Sequence, residues 1–236
     1  MLVTGRVRIE TNYQSQEEHM SKEIDQYWWI RLSQVKENLE GNNFKCVLVR
    51  DVNEARDRVV NDIIPAIKPS SISWGGSVTF KDCGLYDALK NNKDVEVLDT
   101  YDKSSGPEAA MELRRRALLV DMFITGTNAV TDQGCLVNLD MIGNRVGAIV
   151  FGPKNVLVLC GRNKVVSDVD NAMDRIKDFS APANSMRLGK KNPCVKTAYC
   201  HDCESPERIC NVWSITEKSF PPGRIIVVLI NQDLGL

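Results

Sequence analysis

Short apolar runs alternate with amphipathic stretches along most of this chain. Between Gln16 and Leu39, apolar residues recur every three or four positions, and Gly41 follows, which predicts a first helix that ends at this glycine. Phe44–Val49 is then a continuous apolar run of the length of a buried strand. A strand next to an amphipathic helix is the unit that repeats down the chain.

The same pattern predicts further strands and helices in alternation. The predicted strands are "SSISWGG", "VEVLDT", "DMFITG", "GCLVNLD", "NVLVLCG" and "GRIIVVLI". The predicted helices are "DVNEARDRVVNDIIPAI", "SVTFKDCGLYDALKN" with an interruption near Gly84, "GPEAAMELRRRALLV" and "VSDVDNAMDRIKDF"; "MIGNRVGAIVFG" fits a helix or a strand-like link. Apolar strands between amphipathic helices predict an α/β fold, with a mainly parallel sheet and helices on both faces.

The chain divides into a polar lead-in and one predicted domain. Residues 1–20 are polar, and residues 21–236 carry the alternating pattern. Within that domain, a stretch at about residues 184–222 is rich in proline, cysteine and polar residues and predicts an insertion before the last strand. Loops of that length in compact domains are usually functional or disordered.

Composition narrows the classes of function. The 236 residues include 30 basic and 31 acidic side chains, so a net charge of −1 gives no field that attracts nucleic acid. The apolar runs are shorter than the roughly 20 residues of a membrane span, and the N-terminus has no secretory apolar region. We therefore expect a cytoplasmic protein without nucleic-acid or membrane partners, where clustered cysteines favour metal or redox chemistry over structural disulfides.

Four of the eight cysteines fall in the predicted insertion with the spacing C-x5-C-x2-C-x6-C. They are Cys194, Cys200, Cys203 and Cys210. A C-x2-C turn brings two thiolates to one point, but structural zinc commonly uses two such pairs. One pair with two single cysteines is more typical of iron–sulfur ligation. The segment thus predicts a 4Fe–4S cluster, with zinc as the alternative and a redox-active, disulfide-bonded or metal-free segment as the third.

Other residues of this segment bear on the same choice. His201 lies inside the C-x2-C turn and is a further candidate ligand, which would replace one cysteine on zinc. Lys196 and Arg208 could offset thiolate charge. A cluster would imply electron transfer or redox sensing, whereas zinc would order a loop of low apolar content.

Two glycine turns follow predicted strands and are candidate ligand-binding loops. The first turn contains Gly75, Gly76, Ser77 and Thr79, where a strand meets a helix and small residues let an anion come close. It is neither a Walker A loop nor a GxGxxG loop. A tight turn that simply needs glycine explains it equally well.

The second turn is longer and more polar. It contains Gly126, Thr127, Asn128 and Gly134, together with Thr131, Asp132 and Gln133. Loops at the carboxyl ends of parallel strands bind ligands in such sheets, so both turns could line one crevice. Plain turn chemistry is the alternative, but the polar residues are too many for one reversal.

The sequence resembles the lactate-utilisation (LUD, DUF162) domain family in "ISWGGSVTFKDCGLYDAL", in "DMFITGTNAVTDQGCLVNLDMIGNRVGAIVFGPKNVLVL", in the cysteine segment and in "PPGRIIVVLINQDLGL". The resemblance implies a fold like that of ribose-5-phosphate isomerase, glucosamine-6-phosphate deaminase and CoA transferases. It also implies a place in lactate or organic-acid redox metabolism beside iron–sulfur and flavin partner proteins. The expected protein is an accessory or electron-transfer component that binds a small anionic metabolite.

A rival hypothesis is an isomerase-like or transferase-like enzyme on a sugar phosphate or acyl substrate, with a structural zinc. The related isomerases carry a Gly-Ala-Asp turn that resembles Gly126–Asn128, and its carboxylate does acid–base work. This chain has Asn128 there, and an amide does not shuttle protons as a carboxylate does. Asn128 and Asp132 are therefore the catalytic candidates if the protein is an enzyme, which the sequence leaves open. A ligand-sensing regulator is a third reading.

The remaining chemistry-bearing residues have simpler interpretations. His19 precedes the first predicted helix and is expected in solvent, and a hydrolytic triad lacks its G-x-S-x-G elbow. The other four cysteines are predicted to be buried as small apolar residues: Cys46, Cys83, Cys135 and Cys160. Adjacent Trp28 and Trp29 cannot both face one core, which hints at a homo-oligomer contact.

Overall fold

The computed structural model describes residues 4–104 and 106–236, with side chains of the first helix from residue 22 onward. The side chain of His19 and residues 1–3 of the predicted lead-in lie outside the described residues. The first helix is longer than predicted, because it begins at Thr4 and ends at Gly41. No helix in the described part of the chain is long and apolar enough to cross a membrane.

Ten α-helices lie in the described ranges, several of them continuous with π or 3-10 turns. They are α1 Thr4–Gly41, α2 Val52–Asp57, α3 Ile64–Ile67, α4 Val78–Asp82, α5 Leu85–Leu89, α6 Gly106–Arg116, α7 Asn144–Val150, α8 Val169–Arg175, α9 Ala181–Arg187 and α10 Cys194–Thr197. A π-helical turn at Ile176–Ser180 joins α8 and α9 into one continuous helical segment. Gly84, with φ of 67°, separates α4 from α5, as predicted.

In the same part of the chain, ten strands form two sheets. They are β1 Lys45–Val49, β2 Ser71–Trp74, β3 Glu96–Leu98, β4 Met122–Gly126, β5 Ala129–Thr131, β6 Leu136–Asp140, β7 Asn155–Gly161, β8 Val165–Val166, β9 Val212–Thr216 and β10 Ile225–Ile230. The main sheet has the order β1-β10-β7-β4-β2-β3. Each neighbouring pair in it is parallel, which confirms the predicted α/β class.

The main sheet is covered on both faces. On one face, Trp74, Phe80 and Leu159 belong to a cluster that packs α2–α5 against the strands. On the other face, Leu32 and Val158 belong to a cluster that packs α1 against β1, β7 and β10. Burial on both sides explains why β10 is apolar at every position rather than alternating.

The smaller sheet has the order β8-β5-β6-β9, and it was only partly predicted. Strand β6 corresponds to the predicted "GCLVNLD", whereas β5 falls inside the polar turn after Gly126. Strand β9 lies inside the predicted insertion and pairs antiparallel with β6. The insertion is therefore tied to the domain by a strand and is not one continuous loop.

The buried-cysteine prediction is confirmed for Cys46, Cys83 and Cys160, while Cys135 is only half-buried. Burial raises the pKa of the Cys83 thiol to about 12 and that of Cys160 to about 11, so both stay neutral at physiological pH. Trp28 packs against the cluster that contains Leu32, whereas Trp29 is exposed beside the guanidinium of Arg50.

Candidate functional site

A cleft lies at the carboxyl ends of three neighbouring strands of the main sheet, β2, β4 and β7. The chain runs outward from β2 to β3 on one side and from β4 through β7 to β10 on the other. Its direction therefore reverses between β2 and β4. In open parallel sheets this reversal opens a crevice above the strand ends, which is where ligands bind.

The cleft has a volume of about 140 Å³. The lining residues are Gly76, Ser77, Val78, Gly126, Thr127, Asn128, Leu139, Asp140, Met141, Arg145, Lys164, Ile176, Ser180, Ala181, Asn184, Arg187, Leu188, Ile209 and Leu236. The two predicted turns therefore meet in one cavity, and β6 and the α8–α9 segment supply the facing walls.

Tyr101 and Ser77 fix the first turn. The Tyr101 hydroxyl donates a hydrogen bond to Gly75 O at 2.8 Å and accepts one from Ser77 N at 3.2 Å. Ser77 Oγ accepts a hydrogen bond from Phe80 N and so caps α4. Burial raises the pKa of Tyr101 to about 12, so this clamp stays protonated at physiological pH.

Arg145 fixes the second turn. It pairs with Asp140 at 2.6 Å, and it donates hydrogen bonds to Gly126 O at 3.3 Å and to Asn128 Oδ1. Asn128 Oδ1 also accepts a hydrogen bond from Leu139 N at 3.0 Å. The amide oxygen of Asn128 thus serves as a structural hydrogen-bond acceptor. The charge of Arg145 is balanced by the carboxylate of Asp140.

Gly126 is required by close packing of the two turns. A Cβ at this position would lie 2.7 Å from Ser77 Oγ and 3.4 Å from Leu159 O. The second distance is an ordinary van der Waals contact, so the first is the contact that a side chain at this position would disturb. Glycine at this position therefore lets the ends of β2 and β4 approach each other without displacing Ser77 Oγ.

Lys164 follows β7, and its side chain lines the cleft. Its side chain is only 4% exposed, and Nζ donates a hydrogen bond to Thr79 Oγ1 at 2.9 Å. Among the described residues, no carboxylate lies within ion-pair distance of this ammonium. Burial, followed by the repulsion of Arg175 and Arg145, lowers the pKa of Lys164 from 10.5 to about 8.

Three of the predicted binding residues and one catalytic candidate do not line the cleft. Gly75 is buried against Phe123, and Thr79 reaches the cleft only through its bond to Lys164. Gly134, with φ of 79°, lies against α1, where a Cβ would be 2.7 Å from Leu39 N. Asp132 also faces α1 and pairs with Arg31 at 3.0 Å, so this catalytic candidate lies outside the cleft.

Three basic side chains that line the cleft were not predicted, namely Arg145, Lys164 and Arg187. The one sequence feature that pointed to Lys164 is that "GRNK" follows a predicted strand, as the two glycine turns do. Only the strand order, which places β7 next to β4, gives that signal its meaning. Arg187 donates two hydrogen bonds to Asn184 Oδ1 and is otherwise exposed.

A second, smaller cavity lies in the predicted insertion, and all four clustered cysteines line it. They are Cys194, Cys200, Cys203 and Cys210, joined by Lys177, Ala181, Pro182, Asn192, His201, Asp202 and Arg208. We call this space the cysteine cavity; its volume is about 20 Å³. All four thiols are free. His201 Nε2 lies 2.9 Å from Thr197 Oγ1.

Ionic and polar contacts order the walls of the cysteine cavity. Arg208 donates hydrogen bonds to Cys203 O at 2.8 Å and to Cys210 O at 2.9 Å. Lys177 pairs with Asp202 and ties the segment to the α8–α9 wall. Arg208 thus lies where charge compensation was predicted, whereas Lys196 is exposed and does not line the cavity.

The types of donor atom in the cysteine cavity suit a metal, but the four sulfur atoms are too far apart to bind one ion. Asn192, which also lines the cavity, is 3% exposed and keeps Oδ1 without a hydrogen-bond donor. A buried acceptor of that kind needs a cation or a water. Yet no three Cys, His, Asp or Glu side chains of the described residues stand close enough together to hold a metal ion.

Comparison with known proteins identifies a family and structural neighbours. The family model of the LUD domain matches residues 32–230. A solved structure of a DUF162 family protein from Deinococcus radiodurans is similar at 12% sequence identity and a TM-score of 0.48, covering 86% of this chain and 97% of that chain. No curated protein matches the chain.

Proposed function

Since the chain belongs to the LUD domain family, we propose that it serves a lactate-utilisation-related role by binding a small organic anion in the cleft between β2, β4 and β7. Family membership supports the metabolic setting. The cleft supports the class of ligand. A volume of about 140 Å³ is well below the roughly 300–1,000 Å³ of sites for drug-sized ligands and suits a small metabolite.

The observation that carries this proposal is the charge of Lys164, which has no carboxylate partner among the described residues. A buried ammonium without a carboxylate partner is costly, and a ligand anion in the cleft would supply the missing charge. Arg187 adds a second positive charge at the exposed end of the cleft. The one carboxylate side chain in the lining, Asp140, is already paired with Arg145.

Titration calorimetry with L-lactate, pyruvate and inorganic phosphate tests this proposal. We expect at least one of these anions to bind, and Lys164→Met to weaken its binding at least about tenfold because a buried charge pair is lost. Lys154→Met is the matched control, since Lys154 is exposed and pairs with Asp121 outside the cleft. Equal affinities in both variants would contradict the role of Lys164.

We further propose that the four cysteines of the cysteine cavity hold a metal group. Cys194, Cys200, Cys203 and Cys210 would be its ligands, as thiolates. The cysteine spacing favours an iron–sulfur cluster, which would supply one-electron redox chemistry. The small cavity favours a single zinc ion, which would order the segment. Both would require the thiols to draw closer together.

Anaerobic purification followed by metal analysis and a visible spectrum separates these two groups. A brown protein whose colour is lost on oxidation supports the cluster, and a colourless protein with stoichiometric zinc supports the ion. Cys200→Ser should lower metal content and thermal stability. Cys135→Ser, outside the cavity, is the matched control. A wild-type protein that takes up neither metal would refute the site.

A further inference from the structure

The amine of Lys164 is buried, has no carboxylate partner in the described part of the chain, and belongs to a side chain that lines the cleft. Within the described residues, the one hydrogen bond of its side chain goes to the hydroxyl of Thr79, at 2.9 Å. The charged and titratable groups around it are Arg175 and Arg145, which disfavour the ammonium, and Cys160 and Asp82, which favour it. None of these is an ion-pair partner within the described part of the chain.

This environment makes the amine a nucleophile as well as a charge. With a pKa of about 8, about a tenth of the Lys164 amine is neutral at pH 7, against well under a thousandth for an ordinary lysine. The neutral amine is the reactive form toward carbonyl carbon. The exposed lysines of the chain, such as Lys154, lack this combination.

We infer that Lys164 forms an imine with the ketone carbon of a small 2-oxo acid held in the cleft. This inference rests on the proposed anion site and names the substrate class of that site. Binding by charge alone would accept any small anion, whereas imine formation selects an anion that carries a carbonyl group. The iminium product keeps a positive charge on the nitrogen, so pairing with the carboxylate persists after the bond forms.

The step balances without any oxidant or reductant. The lone pair of Lys164 Nζ adds to the carbonyl carbon, and a proton passes from nitrogen to the former carbonyl oxygen to give a carbinolamine. The Thr79 hydroxyl is the nearest relay for that proton. The carbinolamine hydroxyl then takes one proton from solvent and leaves as water, while the nitrogen lone pair forms the carbon–nitrogen double bond. The nitrogen keeps its N–H, so the product is the positively charged iminium.

Reductive trapping of the whole protein tests the inference. The native protein is incubated with pyruvate and sodium cyanoborohydride, and peptide mass mapping locates the modified lysines. We expect Lys164 to gain the mass of one pyruvate less one oxygen atom. L-lactate, which has no carbonyl carbon, should give no adduct and should slow trapping by competition. The yield should rise as the pH is raised from about 6 to about 8, because more amine is neutral.

Two controls keep the test independent of any one variant. Denatured wild-type protein under the same conditions should spread the label over many lysines, so selective labelling in the native protein needs the fold. Lys164→Arg keeps the charge but should abolish the adduct, whereas Lys154→Arg should keep it.

Each remaining outcome refutes either the imine alone or both the imine and the anion site. If pyruvate binds by calorimetry and Lys164 is not labelled, the imine is refuted and the anion site stands. Labelling of native protein that is no more selective than in the denatured chain also refutes the imine. If none of the small anions binds and Lys164 is not labelled, both the imine and the anion site fail.

Discussion

The charge of Lys164 should make stability depend on pH in a defined window. Its pKa is 10.5 in an ordinary environment and about 8 in the folded protein. Between these values the unfolded chain binds more protons at this site than the folded chain does. The free energy of unfolding therefore rises with pH through this window, by up to about 3 kcal/mol from this group. Below about pH 8 the cost of the buried charge is fully present.

Urea unfolding at about pH 7 and about pH 10 measures that rise. Lys164→Met should be more stable than wild type at the lower pH, and its own stability should change less between the two. Lys154→Met should keep the wild-type difference, because Lys154 is exposed. If the difference persists in Lys164→Met, other groups cause it.

Alanine substitutions of Gly126 and Gly76 should separate the effect of packing on stability from the effect of the first turn on anion binding. Gly126→Ala places a methyl group 2.7 Å from Ser77 Oγ, and we expect it to lower the free energy of unfolding by about 1–3 kcal/mol through overpacking. Gly76→Ala meets no atom within 4 Å, so it should unfold like wild type. Because Gly76 lines the cleft, that variant should nevertheless bind the anion more weakly.

Chemical unfolding and calorimetry on the two glycine variants give both quantities. A stable Gly126→Ala protein would show that the two turns can separate without cost. Undiminished anion binding by Gly76→Ala would place the ligand away from the first turn.

At the scale of elements, Arg175 fixes the α8–α9 segment as a wall of the cleft. Its guanidinium donates hydrogen bonds to Asn163 O at 3.0 Å, Asn128 O at 2.9 Å and Ser180 Oγ at 2.7 Å. It thereby joins the end of β7, the second glycine turn and the helix. Desolvation by burial lowers the pKa of Arg175 from its ordinary value, yet these acceptors stabilise the charge.

Arg175→Met should lower the free energy of unfolding by about 2 kcal/mol, since it removes charge-assisted hydrogen bonds and leaves two carbonyl oxygens unpaired. It should also weaken anion binding, because the wall loses its attachment to the second turn. Arg115→Met is the control, since Arg115 is exposed and makes only a surface pair with Glu112. Thermal unfolding and calorimetry on both variants check this.

The elements of the main sheet were predictable because apolar strands and amphipathic helices have distinct periods. That Gly76 and Gly126 lie in one cavity was also predictable, since both stand at the carboxyl ends of parallel strands. Strand β5 was not, because its three residues stand in a polar stretch typical of turns. Lys164 was missed because only the strand order brings the end of β7 beside β4.

At the scale of the whole molecule, the cleft and the cysteine cavity share a wall. Ala181 lines both spaces, and Ile209 lines the cleft while its neighbour Cys210 lines the cysteine cavity. Lys177, paired with Asp202, holds the cysteine segment against the same helical wall. The two cavities are thus separated by little more than one layer of side chains, although the sequence placed their residues far apart.

Other features at this scale stay predictions. Exposed Tyr27, Trp29 and Ile30 on α1 are compatible with the predicted homo-oligomer, which light scattering at several concentrations would measure. The prediction of iron–sulfur or flavin partner proteins depends on whether the cysteine cavity holds a redox group.

If the cysteine cavity holds the proposed metal, its removal should change anion affinity, because the two spaces share a wall. Thiolates drawn together on a metal would move Cys210 and its neighbour Ile209, and we expect the shared wall to pack more tightly on the cleft. We expect chelation to weaken anion binding by about 5-fold or more, the lower end of common coupling strengths. Thermodynamic linkage then requires the anion to strengthen metal binding by the same factor. Calorimetric titration of the anion into metal-loaded and metal-free protein, and metal competition with and without the anion, measure both sides. Equal anion affinities would mean that the wall is rigid and that the two sites act independently.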